Sequence, residues 1–205
     1  MKLLVRAPNW VGDVIMSVPA LRALRDAQPA PEIAVLARPG VAEIYAREPF
    51  ADQVMVYENI GLRGKSRLAA ELRARHFDCA LLLPNSFDSA LITWLARIPR
   101  RIGYTRDGRR WLLTDPIETP APGSIPRHER FYYLELLRLA GFIDAIPACD
   151  RIRIGADPEA GRAALRSFGL DAARVIGLSP GAAFGGAKRW LPERFASAAS
   201  TLAAE

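Results

Sequence analysis

The sequence predicts a doubly wound α/β domain with a parallel sheet, and two features of its N-terminal half support that prediction. Short apolar runs alternate with amphipathic segments through roughly the first half of the chain. The runs are apolar throughout, which is typical of strands that helices cover on both faces. Together these features indicate parallel strands joined by crossover helices, as in Rossmann-like folds.

The individual elements follow from the spacing of apolar residues along the chain. Strands are predicted where apolar residues are continuous, over residues 2–7, 32–37, 53–58, 78–84 and 100–105. Helices are predicted where apolar residues recur at helical spacing, over residues 13–28, 41–48, 66–77 and 87–98. The basic and then Pro-rich stretch 106–126 predicts an irregular segment, and a helix is predicted over 127–142.

A second unit is predicted to begin near residues 150–157, which divides the chain into 1–155 and 156–205. Asp157 and Pro158 are typical of a helix N-terminus, so a helix is predicted over 157–170. A strand over 174–179, a Gly-rich loop and a helix from about residue 192 follow. Because one strand and one helix cannot form a sheet, we expect either a partner that completes this unit or, as we favour, a fragment of a longer protein.

Composition narrows the class of protein. The net charge is +6, and only three of the 28 basic residues are Lys. This balance suits an acidic partner, such as nucleic acid, an anionic membrane face or a phosphorylated substrate, or it reflects an Arg-rich proteome. No nucleic-acid-binding signature is present, so we expect no nucleic-acid partner.

Cysteine usage and hydropathy point to a cytoplasmic protein. Cys79 lies in an apolar run and is predicted to be buried, and together with Cys149 it forms no disulfide or metal-binding pattern. No apolar run approaches the roughly 18–20 residues needed to span a bilayer. The N-terminus also lacks the pattern of a signal peptide. We therefore expect no transmembrane segment, and the cysteine pattern leads us to expect no metal site.

The stretch RAPNWVGD (6–13) joins the first predicted strand to the first predicted helix, at the edge of the sheet where ligands bind. Gly12 would let the backbone approach a ligand closely or take a positive φ. Asp13 has two interpretations. It is either a helix N-cap worth about 1 kcal/mol or a carboxylate presented as a general base.

Three further segments carry polar or charged groups. In SPGAAFGGAKRW (179–190) the glycines and the Lys188–Arg189 pair suit an anion, although the spacing is not that of a Walker A loop; the alternative is a solvated loop. GLRGKSR (61–67) and LPNSFDSA (83–90) follow the third and fourth strands, as ligand-binding loops or as ordinary surface loops and turns. RDGRRWLL (106–113) suits contact with a membrane surface or simple packing.

Four segments together resemble the ADP-heptose:lipopolysaccharide heptosyltransferases of glycosyltransferase family 9, and most of all the type II members. They are PNWVGDVIMSVPALRAL (8–24), LPNSFDSAL (83–91), IPRRIGY (98–104) and PGAAFGGAKRWLPERFA (180–196). The segments occur in the family's order and extend over nearly the whole chain. The resemblance implies the GT-B architecture, in which two doubly wound domains face each other across a cleft.

The resemblance also implies roles for the two units and for individual residues. Unit 1–155 would bind the lipopolysaccharide inner-core acceptor at the membrane surface, and 156–205 would begin a donor domain for ADP-L-glycero-β-D-manno-heptose. Asp13 would be the general base of an inverting transfer that needs no metal or cofactor. The implied acceptor-binding residues are Asn9, Trp10, Gly12, Arg63, Lys65, Asn85 and Ser86. The implied residues for the donor diphosphate are Gly181, Gly185, Gly186, Lys188 and Arg189.

The family's second domain extends well beyond the length of this chain, so we do not expect the chain alone to transfer heptose efficiently. The implied location is the cytoplasm, peripheral to the inner face of the inner membrane. Two alternatives stay open: a heptosyltransferase I or another family member, and a non-catalytic module that binds an anion or a nucleotide.

Overall fold

The computed structural model describes residues 1–27, 32–58, 61–170, 175–182 and 186–203. The chain divides into two compact units, Met1–Gly155 and Ala156–Glu205. Within the described residues no helix combines the length and the apolar character needed to cross a bilayer.

The first unit is a six-stranded parallel sheet with helices on both faces, which confirms the predicted fold class. Its strands are β1 (Lys2–Arg6), β2 (Glu32–Ala37), β3 (Gln53–Val56), β4 (Cys79–Leu82), β5 (Arg100–Tyr104) and β6 (Asp115–Ile117), in the spatial order β3-β2-β1-β4-β5-β6. Its helices are α1 (Val11–Ala27), α2 (Pro39–Ala46), α3 (Leu62–Ala74), α4 (Phe87–Leu95) and α5 (Arg130–Leu139).

The apolar strands are buried on both faces, as their sequence predicts. In β1, Leu3 and Val5 belong to the core shared with α1, α2 and α5, whereas Leu4 belongs to the core shared with α3 and α4. Successive strand residues point to opposite faces, so a strand covered by helices on both sides must be apolar at every position. Cys79 is buried in the first of these cores, in agreement with the prediction.

Strand order places a crevice in the middle of the sheet. β1 and β4 are hydrogen-bonded neighbours with Arg6 opposite Leu82. From β1 the chain runs through α1 toward β2, and from β4 it runs through α4 toward β5, on opposite sides of this pair. Ligands of doubly wound sheets bind at such a switch point, beyond the carboxyl ends of the strands.

Three differences from the prediction affect the interpretation of the chain. Helix α1 begins at Val11, so Asp13 is its third residue and the N-cap interpretation of Asp13 is wrong. Helix α3 begins at Leu62, after a Gly61 that makes no side-chain cap, so the segment 61–67 is helical and the predicted loop is wrong. The predicted irregular stretch 106–126 contains β6, which pairs with β5 and tolerates Pro116 because it is an edge strand.

The second unit contains α6 (Pro158–Ser167) and α7 (Pro192–Ala203). Asp157 caps α6 as predicted, because its Oδ1 accepts a hydrogen bond from the Ala160 N–H at 2.9 Å. The strand predicted over 174–179 is absent from its described part, residues 175–179. A strand needs a hydrogen-bonded neighbour, and the described part of this unit provides none.

Candidate functional site

A polar pocket of about 310 Å³ lies at the carboxyl ends of β1 and β4. Two loops form most of its wall, the β1–α1 loop and the β4–α4 loop, and α5 with the loop after β5 completes it. The lining residues are Pro8, Asn9, Trp10, Asp13, Leu83, Pro84, Asn85, Ser86, Asp107, Glu129, Tyr132 and Tyr133. Five of the predicted site residues therefore line one pocket: Asn9, Trp10, Asp13, Asn85 and Ser86.

Asp13 presents its carboxylate from the first turn of α1. The residue is half-buried, and the Val14 N–H donates to the Trp10 carbonyl at 2.9 Å, so the helical hydrogen bonds begin just before it. The free N–H groups and the dipole at a helix N-terminus favour a negative charge. Asp13 therefore lies at the helix N-terminus with its carboxylate beside the pocket.

Asn9 is held in place by a buried arginine. Arg6, the last residue of β1, donates from one guanidinium nitrogen to Asn9 Oδ1 at 3.0 Å and to the Tyr57 hydroxyl. The guanidinium also lies over the Tyr57 ring, 4.7 Å from its centroid. Because Arg6 is buried, it fixes the Asn9 amide from below and leaves the loop above it to form the pocket wall.

Asn85 and Ser86 have structural partners as well as positions on the pocket. Ser86 is the N-cap of α4, with its Oγ accepting from the Ser89 N–H at 3.4 Å. Asn85 Nδ2 donates to the Tyr132 hydroxyl at 3.0 Å, which links the β4–α4 loop to α5. Both residues are thus turn or cap residues that also offer polar atoms to a ligand.

Arg109 fixes the β4–α4 loop, and sequence analysis did not identify it. Its side chain is fully buried and donates to the carbonyls of Pro84 and Ser86, the latter at 3.3 Å. It also donates to Ser89 Oγ and to the Tyr104 carbonyl, both at 2.9 Å. Burial lowers the pKa of Arg109 to about 10, so the guanidinium is charged at neutral pH.

A glycine in β5 gives Arg109 the room it occupies. A Cβ on Gly103 would lie 3.0 Å from an Arg109 guanidinium nitrogen and 3.2 Å from Leu82 Cβ. Glycine within a strand often indicates such a close approach. Gly103 is therefore the sequence signal that could have indicated a buried group above β5, although it does not identify that group as Arg109.

The residues from α5 and its N-cap were also missed. Glu129, Tyr132 and Tyr133 line the pocket, and Tyr132 stacks on Tyr104 with ring centroids 4.3 Å apart. Burial and then the charge of Asp13 raise the pKa of Glu129 above its ordinary value. Two carboxylates therefore interact across this pocket, and Asp13 is the one at the helix N-terminus.

The structure does not bring Gly12, Arg63 or Lys65 into the pocket. Gly12 is helical and exposed, and a Cβ there would contact no protein atom within 4 Å, so the positive φ considered for it is wrong. Arg63 is exposed on α3. Lys65 forms an ion pair with Asp88 of α4.

The Gly-rich segment of the second unit is described in part. Gly185 lies outside the described residues, and Gly186 and Lys188 form a 3₁₀ turn. Arg189 donates to the Ala182 carbonyl at 3.0 and 3.2 Å, which folds the segment back on itself. Lys188 and Gly181 are exposed.

The pocket of the first unit suits a neutral, hydroxyl-rich ligand. It offers amide, hydroxyl and phenol groups and a carboxylate at a helix N-terminus, and Trp10 at its rim is 58% exposed. Such groups hydrogen-bond hydroxyls, and the carboxylate is positioned to accept a proton. Among the residues that the structure describes, no three His, Cys, Asp or Glu side chains are grouped to hold a metal ion.

Comparison with known proteins gives a family match. Residues 65–205 match the family described as glycosyltransferase family 9 (heptosyltransferase). Lipopolysaccharide heptosyltransferase 2 of Salmonella typhimurium is 32% identical over 212 residues, which cover 98% of this chain and 60% of that protein.

Solved structures agree with this match. The Escherichia coli ADP-heptose lipopolysaccharide heptosyltransferase II superimposes with a TM-score of 0.84 at 32% identity, over 98% of this chain and 61% of that one. The family 9 glycosyl transferase of Veillonella parvula superimposes with a TM-score of 0.82 at 24% identity, over 98% and 59%, and supports the fold. The chain thus spans about 60% of the length of the curated relatives that it matches.

Proposed function

We propose that this chain, which belongs to glycosyltransferase family 9, provides the acceptor side of a lipopolysaccharide heptosyltransferase of type II. The reaction is transfer of L-glycero-D-manno-heptose from ADP-heptose to a heptose of the inner core. The observation that carries this proposal is the position of Asp13 in one pocket with Asn9, Asn85 and Ser86. The named type II relatives support the choice of acceptor.

Asp13 acts as the general base. Its carboxylate accepts the proton of the acceptor hydroxyl while that oxygen forms a bond to the anomeric carbon of the donor. The bond from that carbon to the diphosphate oxygen breaks on the opposite face, and ADP leaves with the electron pair, so the configuration inverts. A carboxylate is a weak base, which suits a hydroxyl that becomes acidic as the new bond forms.

The pocket residues position the acceptor for this step. Asn9 and Asn85 have amide groups held by Arg6 and Tyr132, and a fixed group loses little conformational freedom when it binds a sugar hydroxyl. Trp10 offers an exposed aromatic face beside them. Arg63 and Lys65 lie outside the pocket, and their basic side chains are proposed to attract an acidic inner core toward it.

The second unit begins the donor-binding domain in this proposal. Gly181, Gly185 and Gly186 would offer backbone N–H groups to the diphosphate. Lys188 and Arg189 would offset the negative charge that develops on the leaving ADP. No cofactor enters the reaction.

The proposed location is the cytoplasmic face of the inner membrane of a Gram-negative bacterium, where the acceptor is anchored by its lipid. Residues 1–155 bind that acceptor and residues 156–205 contribute to the donor site. Activity of the chain by itself is expected to be far below that of a protein with a complete donor domain.

The test is heptose transfer by a polypeptide that carries residues 1–205 joined to the remaining part of the E. coli heptosyltransferase II. Transfer is measured from ADP-heptose to inner-core acceptors with and without the terminal heptose, with the chain alone as a comparison. We expect transfer only to the acceptor that carries the heptose, and little by the chain alone. Preference for the acceptor without heptose would favour a type I enzyme.

Binding measurements separate the enzyme from a binding module. The chain should bind the heptose-bearing acceptor by calorimetry, and Asn85→Ala should weaken this binding. ADP affinity should fall in Lys188→Ala relative to the unchanged chain. A chain that binds ADP equally well with and without Lys188, and binds no acceptor, would contradict both assigned roles.

A further inference from the structure

Three aromatic side chains form an exposed cluster on the face of the sheet covered by α3 and α4. Trp94 and Trp111 are 44% and 65% exposed, and their ring centroids are 6.4 Å apart. Phe87 is 38% exposed and lies 5.9 Å from Trp111. Large aromatic residues are usually buried, so a contiguous exposed group of three indicates a binding surface.

The cluster is built from two elements that pack together. Phe87 and Trp94 are the first and eighth residues of α4, a spacing that places them on one side of the helix. Trp111 belongs to the 3₁₀ turn Arg110–Leu112, whose neighbour Leu112 is buried in the core beneath α4. The buried residues hold the turn in place, and the cluster therefore has a fixed base.

Three arginines lie at the Trp94 end of this cluster. Arg73, Arg97 and Arg101 line a cleft of about 500 Å³ together with Trp94 and Leu95, and no acidic residue lines it. Arg101 donates to the Leu112 carbonyl at 2.7 Å, and Arg73 donates to the Leu95 carbonyl. Those hydrogen bonds hold the side chains beside the tryptophans without neutralising their charge.

Two acidic residues close to the aromatic residues are paired with basic residues outside the three arginines. Asp88, which follows Phe87, forms its ion pair with Lys65, and Glu118 forms one with Arg110. The net charge of the surface therefore comes from the three arginines. We call Phe87, Trp94, Trp111, Arg73, Arg97 and Arg101 the aromatic–arginine surface.

We propose that the aromatic–arginine surface docks the protein on a membrane of anionic phospholipid, with the aromatic rings at the headgroup level and the arginines on lipid phosphates. Tryptophan is favoured at this depth because its ring is apolar and its indole N–H is polar. Arginine binds phosphate through several N–H groups while its apolar stem lies along the rings. A protein partner with a basic surface is disfavoured, because no acidic residue lines the cleft.

The surface and the acceptor pocket are connected through the start of α4. Ser86 lines the pocket and is followed directly by Phe87. A protein docked through Phe87 would hold its acceptor pocket beside the membrane in which a lipid-linked acceptor resides. The benefit of placing the pocket beside the membrane rests on the proposed function. Membrane binding by the surface itself requires neither the donor nor the acceptor.

The test is co-flotation of the chain with vesicles that contain neither lipopolysaccharide nor nucleotide. Vesicles of phosphatidylcholine alone are compared with vesicles that contain phosphatidylglycerol as well. We expect binding to the anionic vesicles that weakens with added salt, because attraction of basic residues to an anionic surface is screened. Failure of heptose transfer would not alter this result, so the two proposals can fail separately.

Two variants remove the two parts of the surface. The double variant Trp94→Ser with Trp111→Ser should lower the vesicle partition coefficient about tenfold. The triple variant Arg73→Gln, Arg97→Gln and Arg101→Gln should lower it by more than about tenfold, because each basic residue near an anionic surface contributes about fivefold. Trp94→Phe with Trp111→Phe should retain most of the binding. Circular dichroism and an unchanged thermal midpoint show that each variant is folded.

Matched controls carry the same changes elsewhere. Trp190→Ser removes another exposed tryptophan, and Arg47→Gln, Arg127→Gln and Arg151→Gln together remove three exposed arginines from outside the surface. Both controls should bind vesicles as the unchanged chain does. The proposal would be overturned if the arginine control lost as much vesicle binding as the triple variant of the surface, or if the chain did not bind anionic vesicles. It would also be overturned if sedimentation showed a dimer that Trp111→Ser abolishes.

Discussion

The crevice loops and the segment 61–67 belong to the same edge of one sheet, yet their side chains have different surroundings. The β1–α1 and β4–α4 loops meet over adjacent central strands and share a pocket. The segment 61–67 follows β3, an edge strand that is two strands away from β1, and it begins helix α3. Lys65 of this segment forms an ion pair with Asp88. Spatial strand order, which the order along the chain does not reveal, decides which polar loops converge.

The two regions also differ in how they are fixed. Buried Arg109 and Arg6 hold the crevice loops through hydrogen bonds to the backbone, to Asn85 and to Asn9. The basic residues at 61–67 are mostly exposed, apart from the half-buried Lys65. We therefore expect large, salt-independent effects from changes in the crevice and small, salt-dependent effects from changes at 61–67.

The largest expected effect follows from the proposed role of Asp13 as the general base. Asp13→Asn keeps the shape of the side chain and removes the proton acceptor. Heptose transfer by the polypeptide that joins residues 1–205 to the remaining part of the E. coli heptosyltransferase II should therefore fall about 10²–10⁴-fold. Acceptor affinity should change little, and steady-state kinetics separate the two quantities. The control Asp26→Asn, in the last turn of the same helix and exposed, should retain full activity.

The next largest effect is a loss of folding stability when the buried Arg109 is replaced. Arg109→Met keeps most of the volume but removes the hydrogen bonds that the buried guanidinium donates to the Pro84, Ser86 and Tyr104 carbonyls and to Ser89 Oγ. Hydrogen bonds to a charged group contribute about 1.5–3 kcal/mol each. Urea unfolding should show a loss of stability of at least about 3 kcal/mol. The neighbouring Arg110→Met removes an exposed ion pair with Glu118, which solvent screens, so its stability should stay close to that of the unchanged chain. Equal losses in the two variants would contradict the role assigned to Arg109.

A smaller effect is expected outside the crevice. Arg63→Gln with Lys65→Gln should weaken binding of an acidic inner-core acceptor by a few-fold at low salt, and the difference should disappear near 0.5 M salt. Asn85→Ala should weaken binding equally at both salt concentrations. A salt-independent loss in the double variant would place these side chains in direct contact with the acceptor.

The smallest effect is a pH dependence at Glu129. Its raised pKa means that the folded state binds the proton more tightly than the unfolded state, so ionised Glu129 destabilises the fold. The stability of Glu129→Gln relative to the unchanged chain should therefore rise between pH of about 4.3 and the raised folded-state value. Below that range the difference should level off. In an Asp13→Asn background the rise should be smaller, because the charge of Asp13 is one of its causes.

Much of this fold could be predicted from the sequence, because buried parallel strands are apolar at every position. The five apolar strands were predicted close to their observed positions. β6 was missed because Asp115-Pro116-Ile117 carries almost no apolar signal. The starts of α1 and α3 were missed because Trp10 and Gly61, which precede them, are not strong cap residues.

The candidate site was predictable where polar residues directly follow apolar strands, as at Asn9, Asp13, Asn85 and Ser86. The remainder of the wall depends on tertiary packing. Glu129 and Tyr132 come from a helix that follows an irregular stretch, and no local pattern indicates that α5 packs against α1. Arg109 has the residue type that is most often exposed, and its burial follows from the space above Gly103.

Amide hydrogen exchange of the chain with and without a heptose-terminated inner-core acceptor tests the central claim most directly. We expect slower exchange in three separate segments, residues 9–14, 85–89 and 129–133, and little change at 61–67. The same pattern is expected in Asp13→Asn, which should bind the acceptor without providing a general base. Protection confined to 61–67, or none at the crevice under saturating acceptor, would contradict the assignment of this pocket as the acceptor site.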